Sequence, residues 1–319
     1  MNARRCALAA TFIAMACLLV SGSGCARLRQ ARRASSSGER RISSGGLVRT
    51  YSLHVPTSYS GSRPFPLVIA YHGHGGDGSG QERVGGMDAT ADANSFIVAY
   101  PDGLDKGWND GRSGAVNSGV DDIGFTSDLI ARIEKDYAID ARRVYATGLS
   151  NGGMMCYRVA MELGDKVAAI APVAALLSQD LANRGALRVP VSVMVTEGTD
   201  DPLMPFNGGE VGLFLQARRT VISTADTISF WVKADGCTTT PAITHLADKD
   251  PADGTRVTFS DYTGGTNGTE VRLYTVEGGG HAWPGGVPYL GPRIIGQTSK
   301  DFVASQAIWD FFKSHELAR

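Results

Sequence analysis

Tyr145-Ala-Thr-Gly-Leu-Ser-Asn-Gly-Gly-Met-Met-Cys156 decides how the rest of this chain is read. Gly148, Ser150 and Gly152 fit the pattern G-x-S-x-G. Arg143 to Thr147, just before it, has the composition of a strand, and Met154 to Leu163 reads as a helix. The chain is therefore expected to turn sharply from strand to helix through a serine. So tight a turn leaves no room for a Cβ at the flanking positions and holds the serine in a strained backbone conformation. The pattern alone arises by chance in a chain with 40 glycines among 319 residues. The strand before it and the helix after it give it weight.

Working outward, Leu67-Val-Ile-Ala-Tyr71 and Ser95-Phe-Ile-Val-Ala-Tyr100 are continuous apolar runs, as expected of strands buried on both faces of a mostly parallel sheet. Val167 to Val173 and Val189 to Thr196 read the same way. Leu47 to Val55 alternates and reads as an edge strand. Asp121-Asp122 caps a helix with Phe125, Leu129, Ile130 and Ile133 on its apolar side. Ser223 to Ala234 and Ser299 to His315 read as further helices. Val257 to Ser260 and Val271 to Val276 read as two strands around a glycine turn. Strands alternate with helices and no internal boundary or repeat appears. This predicts one α/β domain over residues 45–319, a doubly wound, mostly parallel sheet with helices on both faces.

Residues before the domain read as a targeting segment. Arg4 and Arg5 precede the apolar run Ala7 to Val20, and small residues follow, so residues 1–25 read as an export signal. Cys25 after Gly24 fits a bacterial lipoprotein site, which would tether the protein to a membrane. Gly22 stands where such sites usually carry leucine, and ordinary cleavage near Ala26 is the other reading. Residues 26–44 are rich in Arg and Ser, so a disordered linker is expected there. The expected location is secreted, periplasmic or cell-surface. Lys and Arg total 31 against 32 Asp and Glu, a net charge of −1, so no nucleic-acid partner is indicated. Cys156 and Cys237 are the cysteines of the folded part, and spacing leaves open whether they pair. No Cys and His cluster has metal-ligand spacing, and no metal or cofactor is expected.

A serine hydroxyl becomes a useful nucleophile only when a base takes its proton. A histidine must reach it, and a carboxylate must hold that histidine's tautomer. Behind Ser150 come Asp200 and Asp201, on the loop Glu197-Gly-Thr-Asp-Asp-Pro202 after a late strand. Then comes His281 in Gly278-Gly-Gly-His-Ala-Trp-Pro-Gly285. The order Ser, Asp, His is that of the α/β-hydrolase fold, whose strand–Ser–helix turn is a nucleophile elbow. His54, His245 and His315 read as surface or packing residues. The glycine-rich loop His72-Gly-His-Gly-Gly-Asp77 ends a central strand, where backbone N–H groups are free to face a ligand. An oxyanion hole from the N–H of Asn151 and one near His74 is expected.

Together these stretches resemble the secreted esterase group of feruloyl esterases, acetylxylan esterases and polyhydroxybutyrate depolymerases. The residues that carry the likeness are Tyr71 to Asp77, Val120-Asp-Asp-Ile-Gly-Phe125, Gly148 to Met154, Gly198-Thr-Asp-Asp-Pro-Leu-Met-Pro-Phe-Asn-Gly-Gly209 and Gly278 to Gly285. The resemblance spans residues 47 to 315. Its acid motif, Gly-Thr-x-Asp-Pro, implies Asp201 rather than Asp200 as the acid and supports His281 as the base. The chain departs from the group at Glu197, where histidine is usual. It also departs where a cysteine often pairs with one like Cys237: here that place holds Thr263 and Gly264, so the bridge is expected to be absent.

The resemblance implies a serine carboxylesterase acting on an ester substrate, which can be polymeric: plant cell-wall feruloyl or acetyl esters, with polyhydroxybutyrate the alternative. Trp108, Phe206 and Trp283 are the aromatic candidates to line an acyl pocket. A serine peptidase on the same fold is a further alternative. A non-enzymatic binding lipoprotein is another, and it would normally have lost a member of the triad.

Overall fold

A computed structural model describes residues 38–114, 117–185, 187, 189–211 and 220–318. The expected export segment, Cys25 and the linker as far as residue 37 lie outside the described residues. In chain order the strands are β1 (Arg40–Ser44), β2 (Leu47–His54), β3 (Phe65–Tyr71), β4 (Ile97–Pro101), β5 (Ile139–Leu149), β6 (Ala169–Val173) and β7 (Ser192–Gly198). They continue with β8 (Gly209–Glu210), β9 (Thr220–Val221), β10 (Ala242–His245), β11 (Arg256–Tyr262) and β12 (Val271–Glu277). The helices are α1 (Gly78–Gly85), α2 (Met87–Asn94), α3 (Asp122–Asp136), α4 (Asn151–Leu163), α5 (Gln179–Arg184), α6 (Thr224–Asp235), α7 (Pro292–Ile295) and α8 (Ala304–Phe312).

Ten strands form one sheet in the order β1-β2-β4-β3-β5-β6-β7-β12-β11-β10. Its centre, β4-β3-β5-β6-β7-β12, is parallel, and both flanks are antiparallel. The all-apolar runs fall in this centre, where a strand has a helix over each face. On β3, Leu67, Ile69 and Tyr71 enter one core while Val68 and Ala70 enter the other. Helices α3, α4 and α6 cover the first face through Phe125, Met155 and Trp231. Helices α2 and α8 cover the second through Met87, Ala91, Ile308 and Trp309. This is the expected α/β-hydrolase architecture.

Three expectations need correction. The linker was expected to reach residue 44, but Arg40–Ser44 pairs with β2 across a two-residue turn at Gly45 and Gly46, both at positive φ. A β-ladder is built from backbone groups, so a segment with few apolar residues still joins it. Consequently Leu47–His54 is not the edge, because β1 lies outside it. Finally, Asp121 and Asp122 do not share the capping role. Asp121 caps α3 by accepting from the Gly124 N–H at 2.8 Å, whereas Asp122 is fully buried and pairs with buried Arg49 at 2.8 Å. Arg49 also lies 3.9 Å from the centre of the Phe125 ring.

Candidate active site

The elbow forms where β5 runs into α4. Ser150 has φ 56° and ψ −121°, a left-handed conformation that costs a non-glycine residue energy. Its neighbours hold it there: the Ser150 N–H donates to Val173 O at 2.9 Å, and its carbonyl accepts from Met154 N–H at 2.8 Å. A Cβ on Gly148 would sit 2.7 Å from Tyr71 O, and one on Gly152 would strike Tyr71 O and His72 O. Both glycines are therefore required by the close approach of β3 to the turn.

The same approach brings the loop after β3 beside the serine. His72 is buried and organises this loop. Its Nδ1 lies 2.8 Å from Gly73 O and its Nε2 accepts from the Gly103 N–H at 2.9 Å. Accepting at Nε2 requires the neutral ring, and burial lowers its pKa. His74 and Asn151 both line the cavity that contains Ser150. As the first residue of α4, Asn151 has no intrahelical acceptor for its N–H. Its side chain is clamped from the loop after β4. Oδ1 accepts from Trp108 N–H at 2.8 Å, and Nδ2 donates to Trp108 O at 3.1 Å and to Asp110 Oδ2 at 2.6 Å.

Asp201 and His281 meet beyond the end of β7. Asp201 accepts the N–H groups of Leu203 and Met204 on Oδ1, each at 2.7 Å, which leaves Oδ2 for His281 Nδ1 at 2.6 Å. Both side chains are buried, at 0% and 2% exposure. Asp200 is exposed and accepts from the Thr199 hydroxyl instead. The loops after β7 and β12 fit because both are glycine-rich: a Cβ on Gly198 would lie 2.8 Å from Gly280 O. His281 is also tied by its N–H to Ile295 O at 2.5 Å, and Gly280 N–H to Gln297 O at 2.8 Å. His281 and Ser150 line one cavity of about 630 Å³.

Of the three aromatic candidates, Trp108 borders this cavity but is almost wholly buried. Its indole N–H donates to His72 O at 2.9 Å and its ring packs on Tyr71. Phe206 and Trp283 do not line this cavity. Phe206 is half-buried and holds the start of α6 through its carbonyl, which accepts from Thr224 N–H at 2.9 Å. Trp283 sits in the core on the opposite face of the sheet, its indole N–H donating to the Ser305 hydroxyl at 3.0 Å. Two residues beyond His281 the chain has already turned into that core. The residues that do line the cavity include Met154, Leu203, Met204 and Val211, together with Val287 to Leu290 and Ile294 from the loop after His281. Sequence reasoning passed over them. The only cue was their position beside the motif residues.

Glu197, the departure noted above, is fully buried. Its Oε1 accepts from Ala175 N–H at 2.5 Å, while no partner among the described residues reaches Oε2. Burial, reinforced by the Asp201 charge, pushes its pKa well above the usual carboxylate range. Cys156 and Cys237 are both buried and unbridged. The Cys237 thiol faces Gly265 and Thr269. Among the described residues no group of three or more His, Cys, Asp or Glu side chains could hold a metal ion.

No family model matches the chain. NocK of Nocardia uniformis subsp. tsuyamanensis, an esterase by name, is 30% identical over 281 residues, covering 85% of this chain and 81% of NocK. Feruloyl esterase B of Piromyces equi is 31% identical over 241 residues, 73% of this chain but only 42% of that protein. Among solved structures, the acetyl xylan esterase from Aspergillus awamori is similar in fold. Its TM-score is 0.54 at 16% identity, over 77% of this chain and 94% of that one.

Proposed function

The chain belongs to the α/β-hydrolase esterase family of feruloyl esterases, acetylxylan esterases and polyhydroxybutyrate depolymerases and is a carboxylic ester hydrolase, and from that premise we propose that Ser150, His281 and Asp201 form its catalytic triad. The observation that carries this reading is the buried 2.6 Å contact between His281 Nδ1 and Asp201 Oδ2, with Ser150 strained into the same cavity. Asp201 fixes the proton on Nδ1 and leaves Nε2 as the base. Ser150 Oγ attacks the ester carbonyl carbon as its proton passes to His281. The carbonyl π pair becomes an oxyanion, held by the N–H of Asn151 and one at His74. The C–O bond to the alcohol then breaks, and His281 returns the proton to the departing oxygen. Water, activated by the same base, releases the acid from the acyl-enzyme.

The names of the relatives support a feruloyl or acetyl ester of the plant cell wall as the substrate, and the reading of the N-terminal segment as an export signal would place the encounter outside the cytoplasm. One observation favours a polyester such as polyhydroxybutyrate as a second reading. The mouth of the cavity is rimmed by exposed apolar residues, Val287 at 62%, Leu290 at 46% and Ile294 at 51% exposure, suited to an apolar polymer surface. Hydrolysis of feruloyl, acetyl and 3-hydroxybutyrate esters by the purified protein separates the two; activity confined to the last selects the second. Labelling by a fluorophosphonate probe in the wild type and its loss in Ser150→Ala is the expected outcome for the triad. An unlabelled wild type would remove it.

A further inference from the structure

Two guanidinium groups, Arg83 and Arg112, line the cavity, and of these Arg112 is held as a rigid fork by a buried carboxylate. Its side chain is only 10% exposed and lines the cavity that holds Ser150 and His281. Fully buried Asp110 grips it along one edge: Nε lies 2.9 Å from Oδ1 and 3.0 Å from Oδ2, and Nη2 lies 2.5 Å from Oδ2. The same carboxylate accepts from Asn151 Nδ2, so the fork is indexed to the residue that follows the serine. Its Nε–Nη2 edge is used. Its other edge, one N–H from Nη1 and one from Nη2, has no acceptor among the described residues. Two parallel N–H groups on a planar cation match the two oxygens of a carboxylate. Arg83 is held by the Ser79 hydroxyl at 3.3 Å in an exposed contact, whereas the wall at Met154, Leu203, Met204 and Val211 is apolar, so Arg112 is the pre-oriented fork an anion meets there.

We propose that Arg112 is a specificity-determining residue that binds a free carboxylate on the substrate, so that preferred substrates are esters whose acyl or alcohol part carries an acid group. This rests on the esterase reading above. Asp110 orients the fork and keeps its charge compensated while the cavity is empty. A carboxylate then completes an Asp–Arg–carboxylate arrangement in which every guanidinium edge is used.

The test compares each acid ester with its own methyl ester at pH 7. One arm carries the acid on the acyl side, 4-nitrophenyl hydrogen succinate against 4-nitrophenyl methyl succinate. The other carries it on the alcohol side, the acetyl ester of 3-hydroxypropanoic acid against that of its methyl ester. The wild type should favour the acid by about tenfold or more in KM in one arm, which also identifies the side that Arg112 faces. In Arg112→Gln the ratio should fall to near 1, and in Arg112→Lys it should lie between, since charge without a fork keeps only part of the contact. Because the ratio is taken within each variant, a general loss of activity cancels. A wild type with no preference in either arm overturns the proposal without any variant. So does a preference that survives in Arg112→Gln. Failure of the esterase reading looks different: none of the four esters is cleaved and Ser150 takes no fluorophosphonate.

Discussion

Asp201 and Asp200 stand side by side in the chain, yet their surroundings part them completely. Asp201 is buried, receives two backbone N–H groups on one oxygen and presents the other to His281. Asp200 is exposed and bonds only to its neighbour's hydroxyl and, through its N–H, to Gly279 O. Asp201→Asn should therefore lower kcat by about four orders of magnitude, by presenting an amide to the wrong histidine tautomer, while Asp200→Asn stays within a few-fold of wild type. Steady-state kinetics on 4-nitrophenyl acetate checks both, and equal losses would contradict the assignment. The residues themselves left this choice open; the family likeness implied Asp201, and of the two it is Asp201 that contacts His281. That Ser150 and His281 would share one cavity was legible because their local motifs are stiff. The cavity wall was not, since Trp108 and Trp283 are aromatic for reasons of packing and indole hydrogen bonding, which composition cannot tell from substrate contact.

At the scale of elements, the active-site loops are held by buried pairs that lie far apart in the chain. Asp122, at the start of α3, pairs with Arg49 of β2 and accepts the Asn109 N–H at 2.7 Å, beside the Trp108 and Asp110 that clamp Asn151. Asp122→Asn strands Arg49 without its counter-charge, and urea unfolding should show a loss of about 3–5 kcal/mol. Arg49→Met combined with Asp122→Leu should recover a large part of that loss, because no unpaired charge is then buried. If the single and double variants are equally destabilised, the pair is not the cause. The sequence-level reading of Asp122 as a second capping residue was natural, since helix starts and aspartates go together. Its real partner is 73 positions away on another strand, a separation no local pattern encodes. The parallel centre of the sheet was legible because two-sided burial writes continuous apolar runs. The flanking β1 and β10 and the polar helices α1 and α2 were not, because their order comes from backbone pairing and glycine caps.

For the whole molecule, stability against pH is set by opposed buried groups. Burial raises Glu82 and Asp235 to about 7, and it also pushes Glu197 well above the usual carboxylate range. A carboxyl raised in the fold stabilises it below the unfolded pKa, roughly 4, and that stability is lost as pH climbs towards the folded value. His72 and His315 are lowered by burial, so they act in the other sense and cost stability as pH falls below about 6.5. Thermal melting from pH 4 to 8 should show that Glu82→Gln with Asp235→Asn flattens the decline between pH 5 and 7 and leaves the acid limb unchanged. A decline as steep as that of the wild type would show that these carboxyls do not govern it. A second whole-molecule prediction concerns Gly296, where a Cβ would lie 2.6 Å from Gly280 Cα. Gly296→Ala should lower kcat more than it raises KM, because it displaces His281, the proposed base, rather than the walls; the reverse split would place the fault in binding. The rim from Val287 to Ile294 belongs to the same run of chain, which returns through Ile295 and Gln297 to hold His281 and Gly280. The lip of the cavity is thus also the mount of the proposed proton carrier, and on that proposal a poor seat at the surface is felt as a mistimed proton at the serine.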